Sequence, residues 1–146
     1  MAIFVTDGQG KNQRRLTTGT ARETMPAISP DGEWVAYVVV GEYDLAKIWL
    51  SRRDGSQRRL LEPERSHISD LSLHPRFSPD GRWIVFTSDR GGLNDERPLT
   101  PQPQPYGDLW AVPVAGGPAV RVTSDKWEDG PNDWGYIRLP LNGSDQ

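Results

Sequence analysis

Cysteine is absent from this 146-residue sequence, which excludes disulfides, zinc–thiolate sites and cysteine nucleophiles and leaves the redox compartment open. No apolar run approaches the roughly 20 residues a helix needs to cross a bilayer, so no membrane insertion is expected. Positive charge is not in excess: 17 Lys and Arg stand against 20 Asp and Glu, with the two signs interspersed. That balance lacks the basic footprint of a nucleic-acid binder. The opening "MAIFVTDGQGK" has neither the basic stretch nor the longer apolar core of a secretory signal. It fits a cytoplasmic protein or a form seen after processing. Amphipathic helical periodicity is scarce too.

What the chain does hold is a repeat. "ISPDGEWVAY" at 28–37 returns as "FSPDGRWIVF" at 77–86, with Ser29 and Ser78 49 positions apart. Its 15 glycines and 13 prolines fall at regular intervals, as in a chain of short strands and many turns. Apolar residues alternate with a period of two, which predicts strands at 3–7, 13–18, 25–29, 33–40, 47–52, 58–62, 74–78, 82–88, 108–114 and 120–124. A last one is expected within 130–139, where the Ser-Pro-Asp-Gly is lost. Four short strands recurring every 44 residues or so are the mark of a β-propeller blade.

Each Ser-Pro-Asp-Gly reads as a hairpin corner: proline presets the first φ, and glycine takes the positive φ that turns the chain back. Trp34 and Trp83, at equal register after these corners, are expected to pack between neighbouring blades. The unit P-x-(F/I)-S-P-D-G-x-W-(I/V)-x-(F/Y), followed by (I/L)-W-x-(V/L) and R-(L/V)-T, resembles the TolB-type propeller repeat, a relative of the WD-type repeats. "FTSDRGG" at 86–92 is similar to that family's continuation. The resemblance spans about 3–135 and implies an all-β propeller. Known relatives include periplasmic TolB, which contacts a peptidoglycan-associated lipoprotein, and propeller domains of serine peptidases and polysaccharide lyases. It therefore implies a periplasmic or secreted location and a protein or peptide partner.

Counted in blades, the sequence supplies about three: two whole ones, a leading half at 3–17 and a trailing half at 130–139. One propeller domain is expected over 1–146, with a Pro-rich insertion at 92–107 that favours an extended conformation. A free half-blade leaves an open sheet edge. A homodimer in which 3–17 of one chain pairs with 130–139 of the other would close a six-bladed ring; the alternative expectation is a piece of a longer propeller.

Chemistry, if present, belongs to the loops joining the last strand of one blade to the next blade and the second strand to the third. "EPERSHISDLSLHP" gathers Glu64, His67, Asp70 and His74, residue types that suit a transition metal. The spacing of seven between the histidines matches no compact ligand motif. "SDKWEDGPNDWG" gathers Asp125, Trp127, Glu128, Asp129, Asp133 and Trp134, and its carboxylates suit calcium but lack the spacing of an EF-hand loop. Asp89 and Arg90 complete the candidate binding face. No cofactor is required, and a calcium or transition-metal ion in the channel is the candidate ion. The leading expectation is a non-enzymatic scaffold presenting its channel-side face to a protein, peptide or small ligand. The alternative is a metal-dependent hydrolase or lyase using His67, His74 and neighbouring carboxylates.

Overall fold

Both copies of the decapeptide fold alike, atom for atom. In the first, the Ser29 amide donates to the Trp34 carbonyl at 2.9 Å, and the Trp34 amide donates to Ser29 Oγ at 2.9 Å. The Ser78–Trp83 pair repeats this at 2.8 and 3.0 Å. Asp31 and Asp80 each accept the serine hydroxyl and the amide two residues on. Gly32 and Gly81 sit at φ 73° and 70°, the left-handed conformation an L side chain resists. Those hydrogen bonds hold both carboxyls below the usual carboxylate range, the serine hydroxyl being the largest cause. Ser-Pro-Asp-Gly is thus a hairpin staple.

The computed structural model describes residues 1–41, 46–61, 71–90, 107–124, 129 and 133–135. Among them are ten strands: β1 (Phe4–Val5), β2 (Arg14–Arg15), β3 (Arg22–Ile28), β4 (Trp34–Val40), β5 (Ala46–Arg52), β6 (Arg59–Leu60), β7 (Ser72–Phe77), β8 (Trp83–Ser88), β9 (Asp108–Pro113) and β10 (Val120–Arg121). They form a two-stranded sheet, β1-β2, and two four-stranded antiparallel sheets, β3-β4-β5-β6 and β7-β8-β9-β10. This is a partial β-propeller: two complete blades, preceded by the outer half of another.

Ten of the predicted strands are therefore present, and β3 and β7 begin two or more residues earlier than expected. From the repeat, the inner strands are expected to start at Met25 and His74, each directly before a proline. The structure starts them at Arg22 and Ser72 and absorbs each proline in a β-bulge, between Thr24 and Ala27 and between Leu73 and Arg76. Met25 and His74 take φ 51° and 54° at these matching bulges. Of the strand expected within 130–139 only residues 133–135 are described, and they form no strand; its exchange with 3–17, and all of the 92–107 insertion except Gly107, lie outside the described residues.

Blades stack through apolar faces. Because side chains alternate across a strand, Trp34 and Ala36 of β4 with Ile48 and Leu50 of β5 point toward the second blade. They meet Phe77, Ile84, Phe86 and Val112 in one cluster. The other face of the same blade, Val35, Tyr37 and Val39 with Trp49, packs on Ile3, Val5 and Leu16 of the half-blade. Strand β7 lies against β3, β4 and β5, which sets the two complete blades face to face. Trp34 packs between blades as expected. Trp83 does not: it is 37% exposed, since no described blade follows it.

Candidate functional site

The R-(L/V)-T segment positions one end of the half-blade and of the second complete blade. Thr17 Oγ1 accepts the Ile3 amide at 3.1 Å, and Thr123 Oγ1 accepts the Leu109 amide at 2.8 Å. Each threonine so ties the outermost strand to the start of its neighbour. At that same end lie the starts of β3 and β7, the ends of β4 and β8, and the starts of β5 and β9, where the candidate residues collect.

In the first complete blade, Glu23 at the start of β3 is buried. Its Oε1 stands 3.3 Å from Arg58 Nη2, while its Oε2 has no partner. Arg58 Nε donates to Tyr37 Oη at 2.9 Å, and the guanidinium lies 4.4 Å over the Trp49 ring. In the second blade, Ser72 stands at the register of Glu23 and Ser88 opposite it. Arg90 Nη2 donates to Ser72 Oγ and Nε to Ser88 Oγ, both at 3.1 Å. Its guanidinium lies 4.9 Å over Phe86 and 5.2 Å from the Trp110 centroid. Burial against these rings pulls the Arg90 pKa down to about 10.

A guanidinium thus occupies the same place in both blades, over the tryptophan of the third strand. It arrives from just ahead of β6 in one and from just after β8 in the other. The Glu23–Arg58–Tyr37–Trp49 cluster was missed in the sequence. Its signal was alignment of the repeats, which sets Glu23 on Ser72, Tyr37 on Phe86 and Trp49 on Trp110.

The sequence-nominated residues separate into groups. Asp89 accepts the Leu71 amide on Oδ1 at 2.6 Å, tying the entry of β7 to the exit of β8. Arg90 belongs to the cluster above. His74 is half-buried at the β7 bulge, its Nδ1 enclosed without a partner. Burial, and secondarily the charge of Arg76, lower its pKa. Asp129 accepts the Thr123 hydroxyl and donates its amide to the Gly107 carbonyl at 3.2 Å, so its contacts brace the end of the blade. Asp108, buried beside them, pairs with Arg121 and keeps Oδ1 unpartnered. Glu64, His67, Asp70, Asp125, Trp127 and Glu128 lie outside the described residues. Among the described residues, no group of three or more His, Cys, Asp or Glu is arranged to hold a metal ion.

Elsewhere, Trp83 and Trp134 flank a cleft of about 240 Å³ with Ser78, Pro79, Asp80 and Gly135. A wider polar cleft of about 480 Å³ lies among Arg14, Glu33, Arg52 and Arg53 near the turn of the first blade. Arg52 in that cleft also covers Trp34 at 4.3 Å.

No protein-family model matches the chain. Over 114 residues it is 29% identical to tricorn protease homolog 1 of Streptomyces coelicolor, covering 78% of this chain and 8% of that protein. The crystal structure of TolB from Acinetobacter baumannii superposes with a TM-score of 0.59 at 19% identity, over 85% of this chain and 27% of that one. That of puromycin hydrolase superposes with a TM-score of 0.56 at 22% identity, over 82% and 16%. The fold is the TolB-type β-propeller. The chain spans well under half the length of each of these proteins.

Proposed function

We propose that this chain, a partial β-propeller of TolB type, is a non-enzymatic scaffold whose blade end receives a protein, peptide or small ligand. The observation that carries this reading is the use made of the hydroxyls there. Ser72 and Ser88 both accept from Arg90, a group that stays protonated and cannot serve as a base. A serine nucleophile needs a base beside it. Guanidinium groups fixed on aromatic rings are instead recognition chemistry, suited to carboxylates and to planar or apolar faces. A homodimer formed by strand exchange between 3–17 and 130–139 is part of the same reading, as is a periplasmic or secreted location.

Tryptophan fluorescence tests it, because Trp49 and Trp110 lie under the two guanidinium groups. Titration with short peptides bearing free or amidated C-termini should give saturable quenching that Arg90→Ala weakens. Steady turnover of those peptides by the purified protein, followed chromatographically, would overturn the non-enzymatic reading. The unpartnered Nδ1 of His74 favours one second reading, a metal-dependent hydrolase or lyase with His67, His74 and Asp70. Metal analysis of protein equilibrated with calcium or zinc separates the two: stoichiometric retention lost in His74→Ala supports the second.

A further inference from the structure

The two apolar ends of the sheet stack have matching residues. Leu16, Leu61 and Val122 hold the same place on the outer side of the three successive units: their amides donate to the equivalent carbonyls of Ile3, Ile48 and Leu109. Leu16 is buried in the contact between the half-blade and the first complete blade. Leu61 is 0% exposed between the two complete blades, while Val122 is 57% exposed. Val120 beside it and Trp83 are exposed on that side as well.

The opposite end repeats the pattern in reverse. Trp49 packs against the cluster holding Leu16, and Trp110 against the cluster holding Leu61. Phe4, at the same place in the half-blade, is open at the front of the stack. Ile28 is 58% exposed there, whereas its equivalent in the second blade, Phe77, is 8% exposed. At both internal interfaces an aromatic residue of one blade thus joins the cluster that holds an aliphatic residue of the blade before it. The third aromatic, Phe4, and the third aliphatic, Val122, stand unpaired at the two ends.

We infer that the Val122 face seats the half-blade β1–β2 of a second copy of this chain, Phe4 packing on Val122, and that the reciprocal contact closes the pair. The argument is continuity: the required interface already exists twice within one chain. Head-to-tail contacts give rings when the rotation closes. About three blades from each of two copies fall inside the four to eight typical of propellers. It rests on the homodimer of the proposed function and names the apolar contact that holds it, and it stands or falls separately from ligand binding at the blade end.

Sedimentation velocity on the 146-residue chain should find twice the 16.4 kDa of one copy. Phe4→Asp and Val122→Asp, each placing a charge in an apolar contact, should weaken that association by roughly a hundredfold or more. Circular dichroism should report unchanged folding, because both side chains are exposed in one copy. Mixing the two variants should recover part of the dimer, since one of its two contacts is then intact. The absence of cysteine permits a cleaner measurement. Phe4→Cys/Val122→Cys should oxidise to a covalent dimer on a non-reducing gel. A folded monomer, open-ended higher oligomers, or a dimer indifferent to both Asp substitutions would each overturn the inference. The monomer would leave these faces to blades of another chain.

Discussion

The two complete blades share a backbone and differ in what fills one end. In both, the inner strand bulges at a non-glycine residue of positive φ, the serine staple closes the hairpin, and the third strand offers a tryptophan to a guanidinium. The first blade sets a buried carboxylate, Glu23, beside its arginine; the second sets two serine hydroxyls there. The repeat therefore fixes geometry through turns and bulges and leaves the polar end free to vary. Variation at a fixed place on a rigid frame is how one fold hosts many functions.

The largest effect should come from the contact the blades share. Leu61→Ala should cost about 2–5 kcal/mol, because it opens a cavity in the inter-blade core. Val122→Ala, at the same place in the next blade, should cost under about 1 kcal/mol in the isolated monomer. Urea denaturation of both variants measures the contrast, and equal costs would break the equivalence of the two positions.

Next comes the entry to the third strand. Ala46 and Gly107 correspond, but a Cβ at Gly107 would lie 2.4 Å from the Ser88 carbonyl oxygen. Gly107→Ala should cost about 3 kcal/mol through that overlap. Ala46→Gly should cost only about 1 kcal/mol, through backbone entropy. Thermal melts of the pair would show whether the close approach is peculiar to the second blade.

The carboxylate of the first blade makes the third difference. Arg58→Ala strands the buried Glu23, and with Arg58 itself partly exposed the cost should be about 2 kcal/mol. Adding Glu23→Gln should recover part of it. Arg90→Ala leaves neutral hydroxyls behind and should cost about 1 kcal/mol. A double-mutant cycle in urea gives the coupling directly. By contrast, Ser29→Ala and Ser78→Ala should each cost about 1 kcal/mol, and equally, since the two staples match.

The smallest expected effect is a pH dependence carried by His74 alone, because Met25 stands at its place in the first blade. Its folded-state pKa is below the ordinary 6.5, so the unfolded chain takes up a proton first. Stability should be unaffected above that value and should fall as the pH drops below it toward 5. His74→Asn should flatten this part of the stability–pH curve by a few tenths of a kcal/mol.

The decapeptide made the hairpins legible, since Pro, Asp and Gly act through local φ and local hydrogen bonds. Period-two alternation made the strands legible for the same reason. The extension of β3 and β7 past their prolines was not legible, because a bulge depends on the partner strand's register. Nor was the split fate of Trp34 and Trp83, two residues in one motif. Burial follows the presence of a blade on the next side, which no decapeptide encodes. At the candidate site, Arg90 could be nominated from "FTSDRGG", but Glu23 and Arg58 could not. They are 35 positions apart and meet only when β3 and β6 frame one sheet.

The sequence by itself determined the strands, their turns and the repeat that makes blades of them, because these rest on interactions within a few residues. Only the tertiary structure decided which equivalent residues are buried, which arginine reaches which tryptophan, and which apolar faces stay open. Those outcomes depend on surfaces that exist only once the blades have stacked.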